Sequence, residues 1–97
     1  MLIRIVRMTF QPDKLDEFMV IFNQSKDRIR TFPGCRHLEL LQDIDKPNVR
    51  MTYSLWESAD ELEAYRQSEL FRTTWAATKV LFADKPVAFS AEKITEL

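Results

Sequence analysis

Residues 35–57, CRHLELLQDIDKPNVRMTYSLWE, contain two largely apolar runs separated by a short polar turn. The runs span residues 35–43 and 49–57, and the turn between them holds Pro47 and Asn48, residue types typical of turns. A connection this short joins antiparallel neighbours. The stretch therefore predicts a β-hairpin, around which the remaining segments can be arranged.

The segments before the hairpin predict a strand and then a helix. Residues 2–10, LIRIVRMTF, are rich in β-branched and aromatic residues, as strands are. After Pro12, mostly apolar residues recur at spacings of three and four, which predicts an amphipathic helix of about 17 residues. The helix is expected to stop at the breaker sequence Phe32-Pro33-Gly34. The recurring positions are Leu15, Phe18, Met19, Phe22, Ser25, Lys26 and Ile29.

The segments after the hairpin repeat this alternation. Ser58, with Glu61 three residues later, has the spacing of a helix capping box. Helical periodicity then runs over residues 59–82, with a break possible at Ser68, and residues 87–95 predict a fourth strand. The order β-α-β-β-α-β is that of the ferredoxin-like α+β fold, an antiparallel sheet with both helices on one face. We expect residues 1–97 to form one such domain.

The second face of this sheet needs a cover of its own. Two helices cover only one side, yet strand 49–57 carries large side chains on both. An open apolar face of several hundred square ångströms is unusual on a monomer. We therefore expect a homodimer packed through the sheet face rather than a monomer. One side of the strand holds Val49, Met51, Tyr53 and Leu55, and the other holds Arg50, Thr52, Ser54 and Trp56.

Composition excludes several classes of site. The chain has 14 Lys and Arg residues and 15 Asp and Glu residues, so its net charge is -1. It lacks the basic excess that nucleic-acid binding needs. A single glycine excludes both the G-x-G-x-x-G dinucleotide motif and the P-loop. One cysteine and one histidine exclude a Cys/His zinc cluster and an intrachain disulfide.

The sequence also predicts a cytoplasmic protein. Its longest apolar stretch, residues 18–22, is far shorter than the roughly 20 residues that span a bilayer, so no membrane association is expected. The segment MLIRIVRM carries two arginines within its apolar run, unlike a signal peptide. A lone cysteine suits a reducing compartment.

Two groups of residues resemble the antibiotic biosynthesis monooxygenase family. The first is Phe32-Pro33-Gly34-Cys35 followed by LELLQD at residues 38–43, and the second is Leu55-Trp56-Glu57-Ser58. The second group is followed by family-like positions at Leu62, Tyr65, Ser68 and Phe71. The resemblance spans essentially the whole chain. It implies a dimeric α+β barrel with a pocket between sheet and helices in each subunit.

The resemblance implies a choice of chemistries. Some members oxygenate quinols and polyketide phenols without metal or flavin, because a deprotonated electron-rich substrate can itself reduce O2. Such a protein supplies a base, a dry pocket and donors for the developing anion. Other members degrade haem or isomerise a small phosphorylated metabolite. The haem-binding Asn and His of that branch align near Val6 and Trp75, which cannot ligate iron.

His37 is the candidate catalytic base, because it alone titrates near neutral pH without a perturbed environment. It is out of phase with Leu38 and Leu40 in its strand, so a structural, hydrogen-bonded role is the alternative. Cys35, two residues earlier, shares its face by simple alternation; we expect it to be structural.

Four aromatic residues are candidates for the pocket wall. Resemblance places Trp56 at the pocket, and the Tyr65 phenol is able to donate a hydrogen bond to a substrate oxygen. Phe71 and Trp75 are four residues apart and share a helix face, where they would bind a planar ligand. The alternative for Trp56, Phe71 and Trp75 is ordinary core packing, and for Tyr65 it is packing on the sheet with the hydroxyl in water.

Arg50 is the candidate that would bind an enolate or phenolate oxygen, with Arg4 and Arg7 as comparable strand arginines. A salt bridge to Glu39 or Glu92 across the sheet is the alternative. The leading hypothesis is thus a cofactor-independent, homodimeric monooxygenase of a small aromatic, quinol or polyketide-like substrate with O2. The alternatives are an isomerase of a phosphorylated metabolite, which needs a cationic pocket, and a non-catalytic binding module.

Overall fold

A four-stranded antiparallel sheet organises the chain in a computed structural model that describes residues 1–97. The strands lie in the order β2-β3-β1-β4, which places β1 and β3 at the centre. With its helices the chain has the expected α+β, ferredoxin-like fold. The strands are β1 (Leu2–Thr9), β2 (Cys35–Gln42), β3 (Val49–Trp56) and β4 (Val87–Glu92). The helices are α1 (Leu15–Arg30), α2 (Ala59–Arg66) and α3 (Glu69–Lys79), with a 3-10 turn at Pro12–Lys14.

The predicted hairpin is present as β2 and β3. Its turn is held by the Asp43 carboxylate, which accepts hydrogen bonds from the backbone N–H groups of Asp45 at 2.9 Å and Lys46 at 3.1 Å. These bonds stabilise the ionised form and lower the pKa of Asp43. A β-bulge interrupts the pairing near the start of β2, between Cys35 and His37.

Ser68 divides the second helical segment into α2 and α3. Its Oγ donates to the Tyr65 carbonyl oxygen at 2.6 Å and accepts from the Phe71 N–H at 3.1 Å, ending one helix and capping the next. The segment also ends at Lys79 rather than at Phe82, because Phe82 forms an isolated β-bridge with Phe10. None of the helices is long and apolar enough to cross a membrane.

The helices cover the more polar of the two sheet faces. Thr52, Ser54 and Trp56 of β3 face the helices, so their neighbours Tyr53 and Leu55 point to the opposite side. That opposite face, called the open face below, is covered by no helix. Paired strand positions assign to it Ile3, Ile5, Arg7, His37, Glu39, Leu41, Met51, Tyr53, Leu55, Val87, Phe89 and Ala91.

Two separate clusters form the core between sheet and helices. The first contains Met8, Phe10, Phe18 and Leu81, and the second contains Cys35, Trp56 and Leu62. Phe10 and Phe18 stack with ring centroids 4.3 Å apart, anchoring α1 on the sheet. The clusters do not merge, because a cavity lies between them.

Candidate functional site

The cavity between the two core clusters is the candidate functional site. It has a volume of about 260 Å³ and is bounded by the inner faces of β1 and β3 and by all three helices. Of the 18 residues that line the cavity, 12 are hydrophobic, so the cavity is suited to a largely apolar ligand. Its size lies near the roughly 300 Å³ at which small-molecule sites begin.

Four of the predicted site residues form one continuous aromatic wall. Trp56 and Tyr65 stack with centroids 5.0 Å apart and 25° between planes. The edge contact of Tyr65 with Phe71 is 5.3 Å, and Phe71 stacks on Trp75 at 5.8 Å. All four residues line the cavity. The wall therefore offers π-faces to a planar ligand, in offset or edge-on geometries that aromatic pairs prefer.

The break at Ser68 creates this wall. An uninterrupted helix would place residues six apart on different faces, whereas the turn between α2 and α3 brings the Tyr65 and Phe71 rings into contact. From Phe71, the helical spacing of four carries the wall to Trp75.

Trp56 and Tyr65 differ in how their polar atoms are used. Trp56 is 1% exposed, and its indole N–H donates to the Ser54 hydroxyl at 3.0 Å. The hydrogen bonds of Tyr65 use its backbone and leave its hydroxyl free. Burial, and secondarily the nearby Cys35, raises the pKa of Tyr65, so the phenol stays protonated. Tyr65 is thus a hydrogen-bond donor, and not a base, at neutral pH.

Two arginines bring positive charge to the cavity. Arg4 reaches it from the inner face of β1 and Arg66 from the end of α2. In the sequence, Arg4 is one of three strand arginines considered for binding a substrate oxygen. Arg66, which sequence reasoning missed, stands four residues after the buried Leu62 and so shares its helix face.

The structure places His37 and Arg50 outside the cavity. His37 lies on the open face, where Nε2 is 2.5 Å from Glu39 Oε1 and the ring meets Tyr53 edge-on at 6.2 Å. Its phase opposite to Leu38, a cavity residue, accounts for this position. Arg50 is on the helix side but bonds the Pro47 carbonyl at 3.2 Å and contacts Met19 Sδ. We therefore assign neither residue a part in the chemistry of the cavity.

Cys35 is separated from His37 by the β-bulge. Two residues of β2 oppose one of β3 there, so Cys35 points into the core beside Trp56 while His37 points out. Burial raises the pKa of the Cys35 thiol, which keeps it protonated and unreactive. The expectation that the two share a strand face was wrong, and a structural role fits Cys35.

The lining side chains decide which cofactors the cavity suits. Val6 and Trp75, the positions that resemblance equates with haem-binding residues, both line it and offer no iron ligand. Nowhere in the chain are three His, Cys, Asp or Glu side chains grouped so as to hold a metal ion.

Comparison with known protein families shows which family the chain belongs to. The profile described as antibiotic biosynthesis monooxygenase matches residues 1–77. The chain belongs to this family. The match contains β1 to β3, α2 and most of α3, and thus every residue of the aromatic wall. No protein among the curated sequences matches the chain.

Solved structures of the family and of related proteins share the fold. An antibiotic biosynthesis monooxygenase superposes with a TM-score of 0.92 at 16% identity, covering 98% of this chain and 100% of the other. A conserved protein from Methanosarcina mazei gives 0.89 at 18% identity, covering 95% and 92%. SnoaB, a cofactor-independent oxygenase from Streptomyces nogalater, gives 0.86 at 19% identity, covering 99% and 95%. At these identities the likeness establishes the fold alone.

Proposed function

We propose that the chain is a cofactor-independent monooxygenase of a small, electron-rich aromatic substrate. The observation that carries the proposal is the aromatic-walled cavity with the free, protonated Tyr65 hydroxyl at its lining. Membership of the monooxygenase family and the fold shared with a cofactor-independent oxygenase support it.

The wall and the hydroxyl have separate tasks in this proposal. Phe71 and Trp75 hold the substrate ring by stacking, and the apolar lining keeps water from the reacting carbon. Tyr65 donates its O–H to the substrate oxygen on which negative charge develops. Because burial keeps this phenol protonated, the donor is available across the neutral pH range.

The chemistry needs no electrons from the protein. Loss of an O–H or C–H proton gives a ring-stabilised anion, which passes one electron to O2. The substrate radical and superoxide then combine at a ring carbon that still carries a hydrogen, and the peroxide anion so formed takes up a proton to become a hydroperoxide. Loss of water from the hydroperoxide leaves a carbonyl, so one oxygen atom enters the product and the other becomes water. The titratable side chains lining the cavity are Arg4, Tyr65 and Arg66, and none of them is a base at neutral pH. The substrate is therefore expected to lose its proton in solvent and to bind as the anion, so turnover should rise with pH as the substrate ionises.

Oxygen uptake tests the proposal. The metal-stripped protein is expected to consume O2 with members of a panel of anthrones, quinols and catechols faster than the protein-free reaction. Tyr65→Phe should lower kcat by about 10- to 100-fold, the effect of losing an oxyanion donor or proton donor. Its stability should change by less than about 0.5 kcal/mol, because the hydroxyl has no partner within the chain.

Tyr53→Phe is the matched control for this experiment. Tyr53 is the second tyrosine of the chain and lies on the open face, away from the cavity. The control should keep full activity. Equal activity of wild type and Tyr65→Phe would remove Tyr65 from the mechanism, and uptake no faster than without protein across the panel would contradict the proposed function.

An isomerase of a phosphorylated metabolite is the second candidate, favoured by one observation. Arg4 and Arg66 give the cavity the positive charge that such a substrate needs. The largely apolar lining favours the oxygenase instead, since a phosphate is costly to bury without many donors. The third candidate, a non-catalytic binding or stress-response module, would have no polar group facing a cavity, so the arginines in the lining disfavour it.

We further propose that a second copy of the chain covers the open face. Val87 and Phe89 on this face are 52% and 48% exposed, and Leu41 at the other edge is 39% exposed. Together with the half-buried residues of β1 and β3 they form an apolar sheet surface that a symmetric partner would bury.

Sedimentation of a charged variant tests the dimer. The wild type is expected to sediment as a dimer and Phe89→Glu as a folded monomer, because a carboxylate buried in the interface would lose its hydration. Val20→Glu, on a 56% exposed position of α1, is the control and should remain dimeric. A monomeric wild type, or a dimeric Phe89→Glu, would contradict the proposed interface.

A further inference from the structure

Arg4 has hydrogen-bonding capacity that the fold does not use. Its guanidinium, at the lining of the cavity, donates to Ser90 Oγ at 3.2 Å and forms no ion pair. A guanidinium has several further N–H donors in a planar fork that matches a carboxylate. The remaining donors of Arg4 are therefore available to a ligand inside the cavity.

Arg66 adds a second positive charge at the same cavity. Its only carboxylate partner is Glu63, 3.2 Å away in an exposed pair one turn earlier on α2. The pKa of Arg4 is lowered first by burial and then by the charge of Arg66, and Glu63 opposes this only in part. No carboxylate lines the cavity, so the net charge of its lining is positive.

These two features, set against the apolar wall, define the ligand. We propose that the substrate is an aromatic acid, whose ionised carboxylate is bound by Arg4 and Arg66 while its ring lies against Phe71 and Trp75. The inference rests on the proposed function, since it names the class of aromatic compound that the oxygenase takes. A carboxylate fits better than a phosphate because a phosphate needs more hydrogen-bond donors than this largely apolar lining offers.

Calorimetric titration with two matched probes tests the inference without turnover. A naphthalene carboxylate and the corresponding carboxamide have nearly the same shape and differ in charge. The carboxylate is expected to bind about tenfold more tightly, the worth of a charge-assisted hydrogen bond at a partly exposed site. Arg4→Gln and Arg66→Gln should each remove most of this preference and leave carboxamide binding unchanged.

Arg72→Gln is the matched control. Arg72 lies on α3, bonds the exposed Gln67 side chain at 3.3 Å and does not line the cavity. This variant removes the same charge and should keep the tenfold preference. Arg66→Gln, at an exposed helix end, keeps the test valid should Arg4→Gln fail to fold.

The outcomes separate this inference from the proposed function. Equal binding of the two probes would overturn the arginine site but leave an aromatic cavity for the oxygenase. Binding of neither probe would overturn both. Tight binding of inorganic phosphate that is lost in Arg4→Gln, with no binding of the carboxylate probe, would overturn the aromatic acid in favour of a phosphorylated substrate.

Discussion

Replacing Trp56 by alanine is expected to lower the free energy of unfolding by about 4 kcal/mol. Trp56 is 1% exposed and packs with Cys35 and Leu62 in one of the two core clusters. The variant would lose this packing and the stack on Tyr65, and would leave a void beside an existing cavity. The Ser54 hydroxyl would also lose the indole N–H that donates to it.

Urea denaturation of wild type and variant measures this loss. Trp75→Ala is the comparison, because Trp75 is the other tryptophan of the chain and lines the same cavity from a half-buried position. It should cost clearly less stability than Trp56→Ala. A cost below about 2 kcal/mol for Trp56→Ala would show that this residue is not part of the core, since large-to-alanine core changes rarely cost so little.

Gly34→Ala is expected to cost about 3 kcal/mol by two independent effects. Gly34 has φ of 88°, in the left-handed region that side chains with a Cβ rarely adopt. A Cβ at this position would also overlap the side chain of Glu61 on α2. To relieve this overlap, the turn after α1 would have to move away from the first turn of α2. The start of β2 would move with it.

The double variant Gly34→Ala/Glu61→Ala tests the contribution of the overlap with the outer part of the Glu61 side chain. It removes the outer atoms of the Glu61 side chain, whose buried Oε2 has no hydrogen-bond partner. Thermal or urea unfolding should show part of the loss recovered, while the backbone cost of roughly 1–2 kcal/mol and the close contact with the Glu61 Cβ remain. If Gly34→Ala alone were as stable as wild type, the close packing of α2 on this turn would be wrong.

The fold could be predicted closely because the residues that start and end its helices and strands act locally. Turn residues and helix caps mark where the elements begin and end. They are Pro12, the Phe32-Pro33-Gly34 breaker, the turn at Pro47 and the caps at Ser58 and Ser68. The strands end one to three residues before the predicted ends. Phe10, for example, leaves the sheet to enter the core.

Which sheet face the helices cover could not be predicted. Both faces of β1 and β3 carry apolar residues, and the helices cover the one that also holds Arg4, Thr52 and Ser54. Polar residues are tolerated there because a cavity, rather than close packing, lies above them. This placement also decides that His37, opposite in phase to Leu38, is directed away from the site.

The part of the candidate site that depends on residue spacing within a helix was predictable from the sequence. Phe71 and Trp75 share a helix face by their spacing of four, and Ser68 offered the break that brings Tyr65 to them. Arg66 was missed because a charged residue at a helix end is usually solvated, and only the packed structure shows it at the cavity.

Turnover under isotopically labelled dioxygen tests the central claim most directly. An electron-rich aromatic that the metal-stripped protein consumes is incubated with labelled O2 in unlabelled water, and the product is analysed by mass spectrometry. We expect one labelled oxygen atom per product molecule, formed quickly by wild type and Tyr53→Phe and slowly by Tyr65→Phe. A product that carries no label would contradict the oxygenase, and label incorporated equally fast by Tyr65→Phe would contradict the proposed role of Tyr65 as a donor.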